Sequence, residues 1–162
     1  RGVTWARSYY WDIKCPDAPQ PFDKWFPAIS VDETVVNLTS YGYSAPYHSF
    51  AVPQNSGLLD LRISFPDSED LVLYKWIKDW VNKDILHFRD SEGSPYLAYV
   101  EDIVKEFHIV KYKFLGKYKK DIVSYTVYSV YPENTLSDAL TSDSSLRQFS
   151  VFFRVCGMER IL

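Results

Sequence analysis

At 162 residues and 46% hydrophobic composition, the chain can bury one substantial core and is predicted to form a single domain, 1–162, without help from metals or crosslinks. Its formal charge of −3 lacks the basic excess of a dedicated nucleic-acid binder, and two cysteines with three histidines, none in a Cys-x-x-Cys spacing, predict no metal site. No run is long enough to span a bilayer and no basic-then-apolar leader opens the chain, so a soluble protein without a signal peptide is expected.

The spacing of Cys15 and Cys156 favours reduced thiols and folding inside a cell, with a disulfide between them left open. The chain starts at Arg1 without a methionine, as expected of a segment that other residues precede. Aromatic residues make up 17% of it, with 13 Tyr, 10 Phe and 5 Trp, more than a monomer of this size readily hides. Half-buried strands favour each of these residues singly, yet the total leans towards association, because Tyr and Trp join a large apolar area to a polar handle.

Residues 5–14 alternate as a first strand, with Trp5, Tyr9, Trp11 and Ile13 on one side, and the Pro-rich stretch 15–21 ends it. Segments 25–29 and 33–38 read as extended. Residues 40–57, SYGYSAPYHSFAVPQNSG, read as a long connection holding one short strand around 49–52. Its Tyr41, Tyr43, Tyr47 and Phe50 argue against disorder and mark it as a candidate assembly loop, ordered against a neighbour or over an open end of its own barrel.

A clear strand follows over 58–65, with Leu59, Leu61, Ile63 and Phe65 on one face. After Pro66, Asp67 or Ser68 supplies an N-cap for a helix over about 67–82. Its Leu73, Trp76, Ile77 and Trp80 fall at helical spacing, and this face is expected to pack against the outside of the barrel. Residues 87–95 read as a polar turn with Gly93, and 96–107, ambiguous between the two periods, as a strand. Segments 108–114 and 122–131, joined through Gly116, read as a hairpin. Two alternating strands close the chain: 122–131, with Val123, Tyr125, Val127 and Tyr131 on one face, and 148–155, with Phe149, Val151, Phe153 and Val155. A Pro-Glu-Asn turn and a polar spacer separate them.

The chemistry-bearing residues form no recognisable catalytic set. Glu101/Asp102 are adjacent and point apart on a strand, Asp67, Glu69 and Asp70 suit a helix N-terminus, and no serine sits in a nucleophile elbow. No catalytic residue, cofactor or metal is predicted. Lys111, Lys113, Lys117, Lys119 and Lys120, interleaved with Tyr112, Phe114 and Tyr118, could form a stacking platform for single strands, but lysines on the wet face of a hairpin are the better explanation.

The stretch LRISFPDSEDLVLYKWIKDWVN (61–82), a strand running into a helix with a Trp-Val-Asn end, resembles the middle of contractile-tail bacteriophage tail tube proteins and their baseplate tube-initiator relatives. The ending YPENTLSDALTSDSSLRQFSVFFRVCGMERI (131–161) is similar to that family's closing pattern, an aromatic-Pro turn, an acidic spacer and Phe-x-Val-x-Phe in the last strand. The resemblance implies a mainly β fold: a small antiparallel barrel or sandwich of two packed sheets flanked by one helix. It also implies hexameric rings that stack into the inner tube of a phage tail, a conduit for DNA ejection that DNA and the tape-measure protein cross without specific binding. Tail sheath and baseplate proteins would be further partners, with assembly in the host bacterial cytoplasm and a final place in the virion. On this reading the lumen is neutral to acidic and the lysine hairpin lies away from it. A type VI secretion tube protein shares the fold. A carbohydrate-binding module and a small hydrolase are the alternatives of other classes.

Overall fold

In the computed structural model, described for residues 2–5, 7, 10–88, 95–97, 100–139 and 147–161, the chain is mainly antiparallel β; 86–88, 95–97, 100 and 134–139 are described by backbone alone. Six strands form one sheet in the order β1-β8-β9-β10-β5-β2: β1 (Trp11–Lys14), β2 (Ser30–Glu33), β5 (Asp60–Pro66), β8 (Lys105–Leu115), β9 (Lys119–Ala139) and β10 (Gln148–Arg160). Among the described residues, β3 (Leu38–Ala45) and β4 (His48–Ser56) pair only with each other, as do β6 (Leu86–Phe88) and β7 (Pro95–Leu97).

Alternation puts one side of the sheet into a common core. Leu61, Ile63 and Phe65 of β5 lie directly across from Phe153, Val151 and Phe149 of β10, and all six are buried. Phe107 faces Tyr128, and Ile13 faces Ile109, on the same side. Laid flat, β8 and β5 would be about 14 Å apart, three inter-strand spacings of ~4.8 Å. The ring of Phe26 nevertheless meets Phe107 at 5.3 Å and Phe65 at 5.5 Å. The sheet is therefore curled into a half-barrel around this one side chain. The segment carrying Phe26 bridges its two ends, with the Phe26 N–H donating to the Ile13 carbonyl (3.4 Å) and the Ile29 N–H to that of Ser64 (2.7 Å).

The helix is shorter than expected: α1 spans Val72–Asp79 and passes into a π-helical turn, Trp80–Ile85. Leu71, just before it, has a left-handed φ of 55°. Asp67 still caps the helix, from four residues upstream of Leu71: its carboxylate accepts from the N–H groups of Ser68 (2.8 Å), Leu73 (3.0 Å) and Tyr74 (2.8 Å). Leu73, Ile77 and Trp80 are buried and Trp76 is half-buried. This face does not lie outside a closed barrel; it completes the core of the half-barrel, with Trp80 5.7 Å from Phe153 and Tyr74 5.4 Å from Phe149. The Trp80 indole N–H donates to the Ile103 carbonyl at 2.6 Å.

Several sequence expectations are corrected. The first strand is only Trp11–Lys14, and the next strand to join the sheet, Ser30–Glu33, lies between the expected extended segments 25–29 and 33–38 and overlaps them only at Glu33. Residues 96–107 do not form one strand. They divide into β7, a one-turn helix α2 (Val100–Ile103) and the start of β8, because Ile103 must offer its carbonyl to Trp80. The turn over 87–95 falls mostly at 89–94, outside the described residues, and so does most of the spacer, at 140–146. Pro132-Glu133-Asn134 is not a turn. β9 continues through it to Ala139, because Glu133 is looped out opposite Phe152 and Phe153 as a bulge that tolerates the proline. On β9 the core face is Thr126, Tyr128 and Val130 rather than the expected set; of that set Val123 is exposed, while Val127 is buried and Tyr131 packs against the core.

Two tests follow. Trp80→Ala, which leaves a cavity and an unpaired Ile103 carbonyl, should lower stability by about 3–5 kcal/mol in denaturant melts. Burial, aided by the nearby negative charge of Asp17, pushes the Cys15 thiol from its ordinary 9.0 up to about 12. The unfolded thiol ionises first, so this contribution is intact below pH 9 and is lost as the pH rises from 9 towards 12. Melts across that window should show Cys15→Ala losing less stability with rising pH than the parent.

Candidate assembly surface

Between Thr34 and Leu59 there is no Asp, Glu, Lys or Arg. The structure turns this stretch, read from sequence as a loop with one short strand, into the β3–β4 hairpin, closed by the two residues Pro46 and Tyr47. The reason is its cross-strand pairing: Tyr43 opposite Phe50 and Tyr41 opposite Val52 build one apolar face, while Ser40, Gly42, Ser44, Ser49 and Ala51 build a small-residue face. Rings of Tyr43 and Phe50 meet edge-on at 4.4 Å, and Tyr41 and Tyr43 lie 5.8 Å apart. At the base the Asn37 Nδ2 donates to the Leu58 carbonyl (2.9 Å), and Thr39 bonds the Asn55 side chain. A Cβ at Gly57 would stand 2.5 Å from the Asn37 amide, so a larger residue there would displace that side chain from Leu58.

Every residue from 35 to 56 is exposed. The hairpin is thus not folded over the end of its own barrel. The four aromatic residues singled out in the sequence, Tyr41, Tyr43, Tyr47 and Phe50, all belong to it, with Tyr47 at the tip 94% exposed.

Beside the hairpin's root lies an open cleft of about 1290 Å³, reaching from Val35 across Ile109 and Lys111 to Phe114 and Leu115. Its floor is tied by a polar group that sequence reasoning missed. Glu33, on the β2 edge, accepts a hydrogen bond from the Tyr128 hydroxyl (2.6 Å) and pairs with the Lys111 ammonium (2.9 Å). In a flat sheet β2 and β8 would be about 19 Å apart, so this bridge exists only because the sheet curls. Burial and the Glu33 carboxylate both raise the Tyr128 phenol above its ordinary value. In the sequence Glu33 only opens the extended segment 33–38, which carries no sign of this group.

Two of the four remaining lysines have carboxylate partners. Lys113 pairs with Asp121 and Lys120 with Asp12, each at 3.5 Å, while Lys117 lies over its neighbour Tyr118. Lys120 also lies 4.2 Å above the Tyr112 ring. The surface is thus partly paired, with Lys111, Lys113 and Lys120 each beside a carboxylate, rather than a bare basic stripe. The other predicted set, Leu73, Trp76, Ile77 and Trp80, belongs to the core, so this Trp pair offers no flat sugar platform. Among the described residues, no three His, Cys, Asp or Glu side chains are placed to hold a metal.

No protein-family model matches the chain, and no curated protein matches it in sequence. Solved structures do match. The tube-terminating cap of the anti-feeding prophage aligns over 99% of this chain and 93% of its own, with TM-score 0.63 and 11% identity. The sheath/tube terminator of an extracellular contractile injection system, PVC, aligns over 99% of both chains, with TM-score 0.64 and 12% identity. The fold is that of contractile-system tube proteins. The PVC sheath-tube complex in its extended state agrees, aligning over 96% of this chain and 90% of its own at TM-score 0.60 and 12% identity.

Within this tube-type fold, the Glu33 group should behave as a unit. Tyr128→Phe should lower stability by about 1–3 kcal/mol, and Glu33→Ala by more, because it strands both Tyr128 and Lys111. A double-mutant cycle measured by urea melts should give a coupling above about 0.5 kcal/mol; strictly additive effects would show that the bridge is not energetically shared.

Proposed function

We propose that the protein is a non-enzymatic structural subunit of a contractile tail, six copies of which form a ring that stacks into the inner tube. The alignment of nearly the whole chain with tube and terminator structures carries this reading. The exposed, uncharged aromatic hairpin supports it, since a chain that finishes its core without these residues keeps them for another surface. Tyr41, Tyr43, Tyr47 and Phe50 are the anchors of that contact, with a neighbour in the same ring or the next. Sheath, baseplate and tape-measure proteins are the further partners, and DNA crosses the lumen without specific binding. The pairing of Lys111, Lys113 and Lys120 with carboxylates suits such a conduit, because it reduces the cations open to phosphates. Assembly takes place in the host bacterial cytoplasm and the product is part of the virion tail.

A ring that ends the tube is the second reading, favoured by the cap and terminator structures that each align over 99% of this chain. Negative-stain electron microscopy of the purified protein separates the two: tubes of indefinite length for a main tube subunit, single or paired sixfold rings for a terminal one. Deleting 43–53 and bridging with Gly-Ser should leave a folded subunit that forms neither. Normal rings or tubes from the deleted protein would remove the hairpin from the assembly, and a uniformly monomeric parent protein would remove the tube reading.

A further inference from the structure

We infer that the cleft beside β2 is the receptor for the β3–β4 hairpin of a second copy of this chain. This rests on the assembly reading and gives the hairpin a specific seat. The cleft, about 1290 Å³, is apolar at its mouth: Trp5 is 77% exposed, Leu115 50% and Phe114 40%. Its wall is already ordered by aromatic contacts, Phe114 meeting Tyr10 edge-on at 5.0 Å and Tyr112 at 5.7 Å.

The hairpin's lack of charge suits a cleft whose lysines already have carboxylate partners. The cleft's Lys111 is held by Glu33 at 2.9 Å and its Lys113 by Asp121 at 3.5 Å, with Arg7 exposed to solvent. Beyond Arg7, a charged peptide would find its counter-charges there already engaged, and it would have to shed its water. The hairpin carries no Asp, Glu, Lys or Arg, so it enters without that cost. The chain's own hairpin does not fill the cleft: it leaves from the cleft's rim at Val35 and remains exposed throughout 35–56. Each copy therefore presents both an unfilled cleft and an uncovered hairpin.

Size agrees as well. Taking aromatic side chains at roughly 150–250 Å² each, the exposed parts of Tyr41, Tyr43, Tyr47 and Phe50 amount to on the order of 500 Å². That is more than half of the ~800 Å² per partner that a stable interface needs, before any backbone or small residue is added. Hairpin and cleft are different patches, so the contact is head-to-tail, and repeated addition yields a closed ring or a stack.

The test combines two proteins, each with exposed Cys156 changed to Ser. One carries Tyr43→Cys on the hairpin and the other Leu115→Cys in the cleft. Treated together with a short bismaleimide, they should give a covalent dimer containing one of each, absent when either is treated alone. Leu115→Asp should abolish rings and tubes with an unchanged melting curve, whereas Tyr118→Asp, at a residue outside the cleft lining, should leave them intact. Rings or tubes without the mixed dimer, or a double variant that closes on itself within one chain, would overturn the cleft assignment and leave the assembly reading standing. Capture of some other protein by the cleft in preference to the hairpin would also overturn it. A parent protein that forms no ring or tube at all would instead defeat the assembly reading.

Discussion

The curl of the six-stranded sheet depends on Phe26. Its ring touches Phe65 and Phe107, which belong to strands three positions apart, and its N–H reaches the carbonyl of Ile13 on the β1 edge. A flat sheet of this size would expose half of its apolar side chains. Curling turns Ile13, Phe107, Val130, Phe153 and Phe65 towards one another, so that α1, the π-helical turn after it and the segment carrying Phe26 are enough to complete the core, with Ile103 of α2. Truncating a fully buried aromatic residue of this kind costs roughly 3–5 kcal/mol, a large part of the total stability of an ordinary domain. Other features of the fold can vary more cheaply.

The same curl creates the polar bridge. Glu33 ends a strand whose Val31 packs against the core, and it would face solvent if β2 stood at the rim of a flat sheet. Brought over β8 and β9, its carboxylate meets Tyr128 and Lys111 instead, and a half-buried charge is satisfied rather than stranded. This bridge sets the floor of the cleft at the point where the hairpin departs. Folding and the proposed assembly thus share one device. The core is complete without residues 35–56, which leaves their apolar side chains available for a second subunit.

Low sequence identity fits this arrangement. What the fold demands is an aromatic plug, alternating apolar faces on six long or short strands, and a helix with an apolar stripe. Many side-chain choices meet those demands, provided volume and pattern are kept. A likeness of 11–12% over 96–99% of the chain is the expected trace of such a constraint.

Period-2 alternation over 58–65 and 148–155 was enough to identify β5 and β10 and their core faces, since a strand half in contact with a core leaves that pattern whichever partner it has. The 3.6-residue spacing of Leu73, Ile77 and Trp80 identified the helix face for the same reason. Local signals erred where a long-range contact won. Thr126, Tyr128 and Val130 face the core because β9 is in register with Phe107, although Val123, Tyr125 and Val127 are an equally good alternating set. Residues 38–56, rich in Ser, Gly and Pro, became a hairpin because the aromatic side chains of its two halves pair across the strands. Composition marked Tyr41, Tyr43, Tyr47 and Phe50 as candidates for assembly. Their exposure, the cleft and the Glu33 bridge were decided only by the tertiary structure, because each depends on strands distant in sequence being brought together by the curl of one sheet.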